Sequence, residues 1–103
     1  IDTSVSMGRN LEYAKATITS FTSMMSTNTN GQFYSRIGVI AAADTVEVVY
    51  NLNMTSNDNL DSIQPRDVDK MNFDAAFQSA VIMLNEGRQL PSYRENTREI
   101  VYI

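Results

Sequence analysis

Near its start the chain carries Asp2-Thr3-Ser4-Val5-Ser6-Met7-Gly8, where one carboxylate and two hydroxyls fall on alternate residues. Three hard oxygen donors in a loop suit Mg2+, which takes octahedral oxygen coordination and keeps several waters. Hydroxyls add no charge, so a cation held by Asp2, Ser4 and Ser6 would stay electrophilic toward a carboxylate arriving from outside. A phosphate cradle is the rival for such a loop, but it calls for more glycine than the lone Gly8. Ser4 or Ser6 as a nucleophile would need a base, and the sequence holds no histidine. A Ser-His triad is therefore ruled out and the chain reads as non-enzymatic. Asp2 also has a structural use, since a carboxylate before a helix meets the positive end of its dipole. The two roles are compatible.

Other reactive groups have simpler explanations. Asp67 and Asp69 form a possible acid–base pair, but a solvated loop before a helix accounts for them. Asp44 serves a hairpin turn. Met7, Met24, Met25 and Met83 sit on or beside helices as core filling. With no cysteine there is neither a thiolate metal site nor a disulfide framework. Asn53-Met54-Thr55 is an N-glycosylation sequon in a loop, in agreement with a secreted protein.

The elements that must position these residues are legible from periodicity. Leu11, Ala14, Ile18, Phe21 and Met25 recur at spacings of three and four, predicting an amphipathic helix capped by Asn10. Turn formers at 26–31 end it. Arg36-Ile37-Gly38-Val39-Ile40-Ala41-Ala42 reads as a strand buried on both faces. After Asp44, Thr45-Val46-Glu47-Val48-Val49-Tyr50 alternates, with Val46, Val48 and Tyr50 on one face. That pattern predicts an antiparallel hairpin partner near the sheet edge. A polar stretch at 51–69 contains a short helical turn around Leu60 and Ile63, ended by Pro65. Phe73, Ala76, Phe77, Ala80, Val81 and Leu84 predict a second helix, with Asn72 as cap, Gly87 as stop, and Phe73 and Phe77 as core. A last strand is expected at 99–103.

At 103 residues, 43% hydrophobic and 19% charged, the chain is one soluble globular domain. Its net charge of −4 argues against nucleic acid, which is met by a basic stripe. No apolar run reaches the length of a membrane span. The first residues read as a strand end and the last as a strand in progress, so the expectation is a domain truncated at both ends.

Taken in order, these segments resemble a von Willebrand factor type A domain. Asp2-Thr3-Ser4-Val5-Ser6-Met7-Gly8 before a helix is similar to the family's opening, where Asp-x-Ser-x-Ser begins the metal-ion-dependent adhesion site. Arg36-Ile37-Gly38-Val39-Ile40 resembles the second strand. Asn72-Phe73-Asp74-Ala75-Ala76-Phe77 with Ala80 looks like the helix after the metal-site threonine, and Arg98-Glu99-Ile100-Val101-Tyr102-Ile103 like the fourth strand. The resemblance spans essentially the whole chain, residues 1–103. It implies an α/β, Rossmann-like open sheet, mostly parallel with one antiparallel edge strand and with helices on both faces. It also implies a secreted or extracellular adhesion module that binds a protein or glycoprotein partner, with Asp2, Ser4 and Ser6 holding Mg2+.

Two departures stand out. Aligning Ala76-Phe77 with the family's Ala-Leu places the expected metal threonine at Met71, whose thioether is a soft donor unsuited to Mg2+. Asn72, Asp69 or Asp74 would have to substitute through water. The acidic residue after the fourth strand would fall beyond Ile103. The Arg94-Glu95-Asn96-Thr97-Arg98 lead-in resembles type A domains found beside C-type lectin domains in secreted nematode proteins, many of which have lost the metal site. This implies an alternative: a structural scaffold with a degenerate metal site, packed against a neighbouring lectin-type domain. An intracellular chelatase-like or repair assembly is a third.

Overall fold

The computed structural model describes residues 1–27, 36–52, 60–91 and 93–102. Four regular elements follow one another: α1 (Asn10–Thr27), β1 (Val39–Ala42), β2 (Val46–Tyr50) and α2 (Phe73–Gly87). Short 3-10 turns lie at Val5–Met7 and Leu60–Ser62. The sequon residue Asn53 and the side chains of Met24 and Met25 lie outside the described residues.

Helix α1 begins at Asn10 itself, one residue before the expected start, so Asn10 is the first helical residue and not the cap. Leu11 is buried on its inner face, Ala14 and Ile18 are half-buried, and Phe21 is exposed against Tyr102 (ring centroids 6.4 Å apart, edge-on). The helix carries several threonines. Thr17, Thr19 and Thr22 each donate a hydroxyl to the carbonyl four residues earlier. Lys15 is buried along its stem and reaches Glu12 at 3.1 Å.

Strands β1 and β2 form an antiparallel hairpin, as the alternation predicts. The register slips between Val39 and Ile40, because Val39 faces Tyr50 while Ile40 faces Val48. Val49 is thus an extra residue in a β-bulge, and a bulge reverses the facing of what precedes it. The expected Val46-Val48-Tyr50 face is therefore broken: Val48 is 51% exposed, whereas Tyr50 is buried. Val39, Ala41 and Tyr50 cluster with Leu11 of α1 and with Leu60 and Ile63 of the polar stretch, which forms the core. Just before β1, a Cβ at Gly38 would come within 2.0 Å of Met83 Sδ, so α2 packs directly against the start of the hairpin.

Helix α2 is capped as expected, with Asn72 Oδ1 accepting from the Ala75 N–H at 3.1 Å. Gly87 has a different task from the stop assigned to it. It is the last helical residue, buried, and a Cβ there would meet Leu52 Cδ1 at 2.6 Å. The glycine admits a close approach, and the backbone N–H of Arg88 continues onto the Leu84 carbonyl. Phe73 and Phe77 are not core. They stack nearly parallel, with centroids 6.3 Å apart, and stand about half exposed beside a half-exposed Val81. The apolar arc of α2 is wider than a two-stranded hairpin can cover.

The expected mostly parallel sheet is present only in part. Among the described residues the regular sheet is the antiparallel pair β1-β2, and parallel pairing is limited to the isolated bridges Asp2↔Ala42 and Ser4↔Arg66. Residues 99–102 form no strand. A strand exists only where a neighbour supplies its ladder, and here Glu99 is drawn to the end of α2 by a two-pronged contact with Arg88, at 2.7 Å from Nε and 2.6 Å from Nη2.

Candidate functional site

The Asp2-Ser4-Ser6 loop is fixed from both sides by main-chain bonds. Toward β1, Ile1 N donates to Ile40 O (2.7 Å), Ala42 N to Ile1 O (2.9 Å), and Thr3 N to Ala42 O (2.8 Å). The buried Thr3 hydroxyl adds a second bond to the same Ala42 carbonyl at 3.1 Å. Burial lowers the proton affinity of the Ile1 ammonium, and the Asp2 charge draws it partly back. On the opposite side, Arg66 N donates to Thr3 O (2.7 Å) and Val5 N to Val68 O (2.9 Å). The lateral order is therefore 66–68, then 1–5, then β1, then β2. The loop after β1 joins the one before α2 through Asn72 N and Ala43 O at 2.7 Å. All three loops thus meet at the carboxyl ends of the extended segments, where α/β sheets bind ligands.

Within the loop the three expected donors come together. Asp2 Oδ1 accepts the Ser4 N–H at 2.8 Å, an Asx turn that bends the chain back on its carboxylate. Ser4 is fully buried, and its Oγ lies 2.9 Å from Ser6 Oγ. Ser6 is exposed, and its hydroxyl donates to the Asp69 carbonyl at 3.1 Å. Since Ser6 has one hydrogen, Ser4 donates to Ser6. Gly8 closes the loop at φ 50 and ψ −127, a left-handed turn that favours glycine before α1 starts.

As a donor set for a divalent cation these residues fit in part. At a metal–oxygen distance of about 2.0–2.1 Å, adjacent octahedral ligands stand roughly 2.8–3.0 Å apart, which matches the Ser4–Ser6 separation of 2.9 Å. Both hydroxyl hydrogens have acceptors, leaving lone pairs for another centre. Among the described residues no three acidic side chains converge, and Asp2, Ser4 and Ser6 themselves offer one carboxylate and two neutral hydroxyls. Met71, half-buried beside Asn72, offers nothing a hard cation prefers. Asp67, Asp69 and Asp74 are all exposed.

Two contributors had no signal in the sequence. The Asp69 carbonyl, as the acceptor for Ser6, follows from a main-chain position that no residue type marks. Arg66 is the other. Its backbone lies on one side of the 1–5 segment, yet Nη2 meets Asp44 Oδ1, beyond β1 on the other side, at 3.2 Å. Asp44 thus has a cross-loop partner in addition to its place in the hairpin turn.

The family model for the von Willebrand factor type A domain matches residues 1–103. No curated protein and no solved structure matches the chain. With the match running the full length and the Asp2-Ser4-Ser6 loop at the carboxyl ends of the extended segments, the chain belongs to the von Willebrand factor type A domain family.

Proposed function

We propose that this domain is a non-enzymatic recognition module. It binds a protein or glycoprotein partner at the carboxyl-end face, through a divalent cation, Mg2+, held by Asp2, Ser4 and Ser6. Domains of this family are in general adhesion and protein-interaction modules and occur in extracellular proteins. The observation that carries the proposal is the closed Asp2-Ser4-Ser6 loop, with Asp2 Oδ1 on the Ser4 N–H at 2.8 Å and Ser4 Oγ 2.9 Å from Ser6 Oγ. When bound, the cation supplies an electrophilic centre for an acidic partner side chain. The chain's own part is to orient the hydroxyls, through Asp69 and the Asx turn, and to hold the loop against β1. No helix among the described residues is long and apolar enough to cross a membrane. A glycan on Asn53 belongs to the same extracellular reading, and a mass shift on glycosidase treatment of the secreted protein tests it.

A second reading has Met71 in its favour: a scaffold domain with a degenerate metal site, packed against a neighbouring lectin-type domain. Calorimetry with Mg2+ and Mn2+ separates the two. The recognition reading expects saturable binding by the chain and none by Asp2→Ala. No heat from the folded wild type would remove the cation and favour the scaffold.

A further inference from the structure

We propose that Arg66 is a second anchor for an acidic side chain of a protein partner, kept in place by Asp44 until the partner's carboxylate replaces it. The proposal rests on the recognition reading above and names the group that the same face would grip. Arg66 pairs by its backbone with Thr3 on one side of the loop segment, while Ala42 pairs with Thr3 on the other. The Arg66 side chain reaches Asp44, in the turn after β1, at 3.2 Å. It therefore ties together the two loops that flank the Asp2-Ser4-Ser6 segment.

Its bonding is incomplete. Arginine carries five N–H donors in a planar fork suited to two-pronged carboxylate recognition. Arg88 engages all three of its nitrogens, with Nε and Nη2 on Glu99 and Nη1 on Asn85. Arg66 instead makes one side-chain hydrogen bond among the described residues, at 3.2 Å, with both partners about half exposed. An exposed, single-pronged pair is weak and easily exchanged. A carboxylate arriving from outside can take up the unused prongs and displace Asp44. The carboxylates of Asp2 and Asp44 flank Arg66's loop, so an acidic partner depends on the cation and on Arg66 to be admitted. Lys70 is the nearest other cation in sequence.

The test is an NMR titration of the 15N-labelled chain with a blocked Gly-Glu-Gly tripeptide, its Gln and Lys counterparts, and Mg2+ or a chelator. The Glu peptide should give saturable shifts in the 2–8 and 66–72 amides, and the Gln and Lys peptides none. Arg66→Gln should weaken Glu-peptide binding about tenfold, the scale of a hydrogen bond to a charged group, while calorimetry still shows saturable Mg2+ binding. The backbone bond of residue 66 to Thr3 is kept in that variant. Asp44→Asn should tighten binding about two- to fivefold by removing the competitor. Unchanged affinity in Arg66→Gln, weaker binding in Asp44→Asn, or preference for the Lys peptide would each overturn the proposal. Absence of Mg2+ binding would instead overturn the cation reading, and the chelator arm then judges Arg66 by the same variants.

Discussion

The paired serines make an unusual demand on mutagenesis: the exposed one should matter more to stability than the buried one. Ser4 has no exposed surface, and its hydroxyl is satisfied by Ser6 alone among the described residues. Ser6 is exposed and has a second contact, its donation to Asp69 O. In Ser6→Ala the buried Ser4 hydroxyl is left with no partner, at a cost of about 1–3 kcal/mol. In Ser4→Ala the buried polar group itself is gone, while Ser6 keeps Asp69 and water. The loss is then one neutral hydrogen bond, about 0.5–1.5 kcal/mol. Ser6→Ala should thus be the worse by roughly 1 kcal/mol, a gap of about 4–8 °C in melting midpoint for a domain of this size. The double variant should cost less than the two singles added, because nothing buried remains unpaired.

Urea unfolding followed by far-UV circular dichroism, in chelator and at constant m-value, measures all three variants. Repeating the series in Mg2+ separates the hydrogen-bonding role from the donor role. A cation at one hundred times its dissociation constant adds about 2.7 kcal/mol to whatever binds it, so the wild type should gain more than any variant. If Ser4→Ala proves as costly as Ser6→Ala in chelator, the dependence of Ser4 on Ser6 is wrong. If all variants gain equally with Mg2+, the hydroxyls are not cation donors.

Four further outcomes follow from the structure. Gly38→Ala should destabilise by about 1–3 kcal/mol, the usual penalty for overpacking, because its Cβ would meet the buried Met83 at 2.0 Å and the Tyr50 carbonyl at 3.3 Å. Gly87→Ala should be close to neutral in the same melts. The three nearest heavy atoms all belong to the flexible, half-buried Leu52, beside an open hollow of about 180 Å3, and a gain in helix propensity of at most about 1 kcal/mol offsets the shift. Hydrogen bonding from Arg88 holds the Glu99 carboxyl below the ordinary glutamate range. Since the folded-state value is the depressed one, the pair's contribution is present above the unfolded glutamate value and is lost as pH falls through the folded value. A 13C titration of Glu99 should show the low midpoint, and Arg88→Gln should return it to normal. Finally, Phe73→Ser with Phe77→Ser should reduce concentration-dependent self-association in sedimentation velocity and leave the melting midpoint within a few degrees, since both rings are half exposed. A large loss of stability would show that they are core after all.

How much was legible depended on whether a feature is local. Helix α2 could be read nearly residue by residue, because a three-four repeat and an Asn cap act within a few residues of themselves. The β1-β2 hairpin was legible from alternation, but not its bulge at Val49, because no glycine or charge marks the extra residue. Burial was the least secure inference. The Phe73-Phe77 stripe has the periodicity of a core face, yet periodicity shows only that a helix has an apolar side, and the width of the sheet decides how much of it is covered. Residues 99–102 fail as a strand for a related reason: β propensity needs a neighbour with free backbone groups, and Arg88 holds Glu99 elsewhere.

The candidate site divides along the same line. Asp2-x-Ser4-x-Ser6 was recognisable because its types and spacing lie within five residues, and the Asx turn joining Asp2 to Ser4 is as local as a helix cap. What gives the loop its shape is not local. Ser6 is oriented by a carbonyl 63 residues away, and Thr3 by one 39 residues away. Arg66 arrives only because its segment lies parallel to Ser4. The three oxygens are therefore in place only once the 36–44 and 66–72 segments have closed on residues 1–5, and a chain that has not folded has no such site. Any ligand held by Asp2, Ser4 and Ser6 consequently binds the folded state alone, and it raises stability in step with the logarithm of its concentration over its dissociation constant. Unfolding in Mg2+ against chelator is thus the most sensitive assay of this loop, because it registers cation binding even when no partner is known.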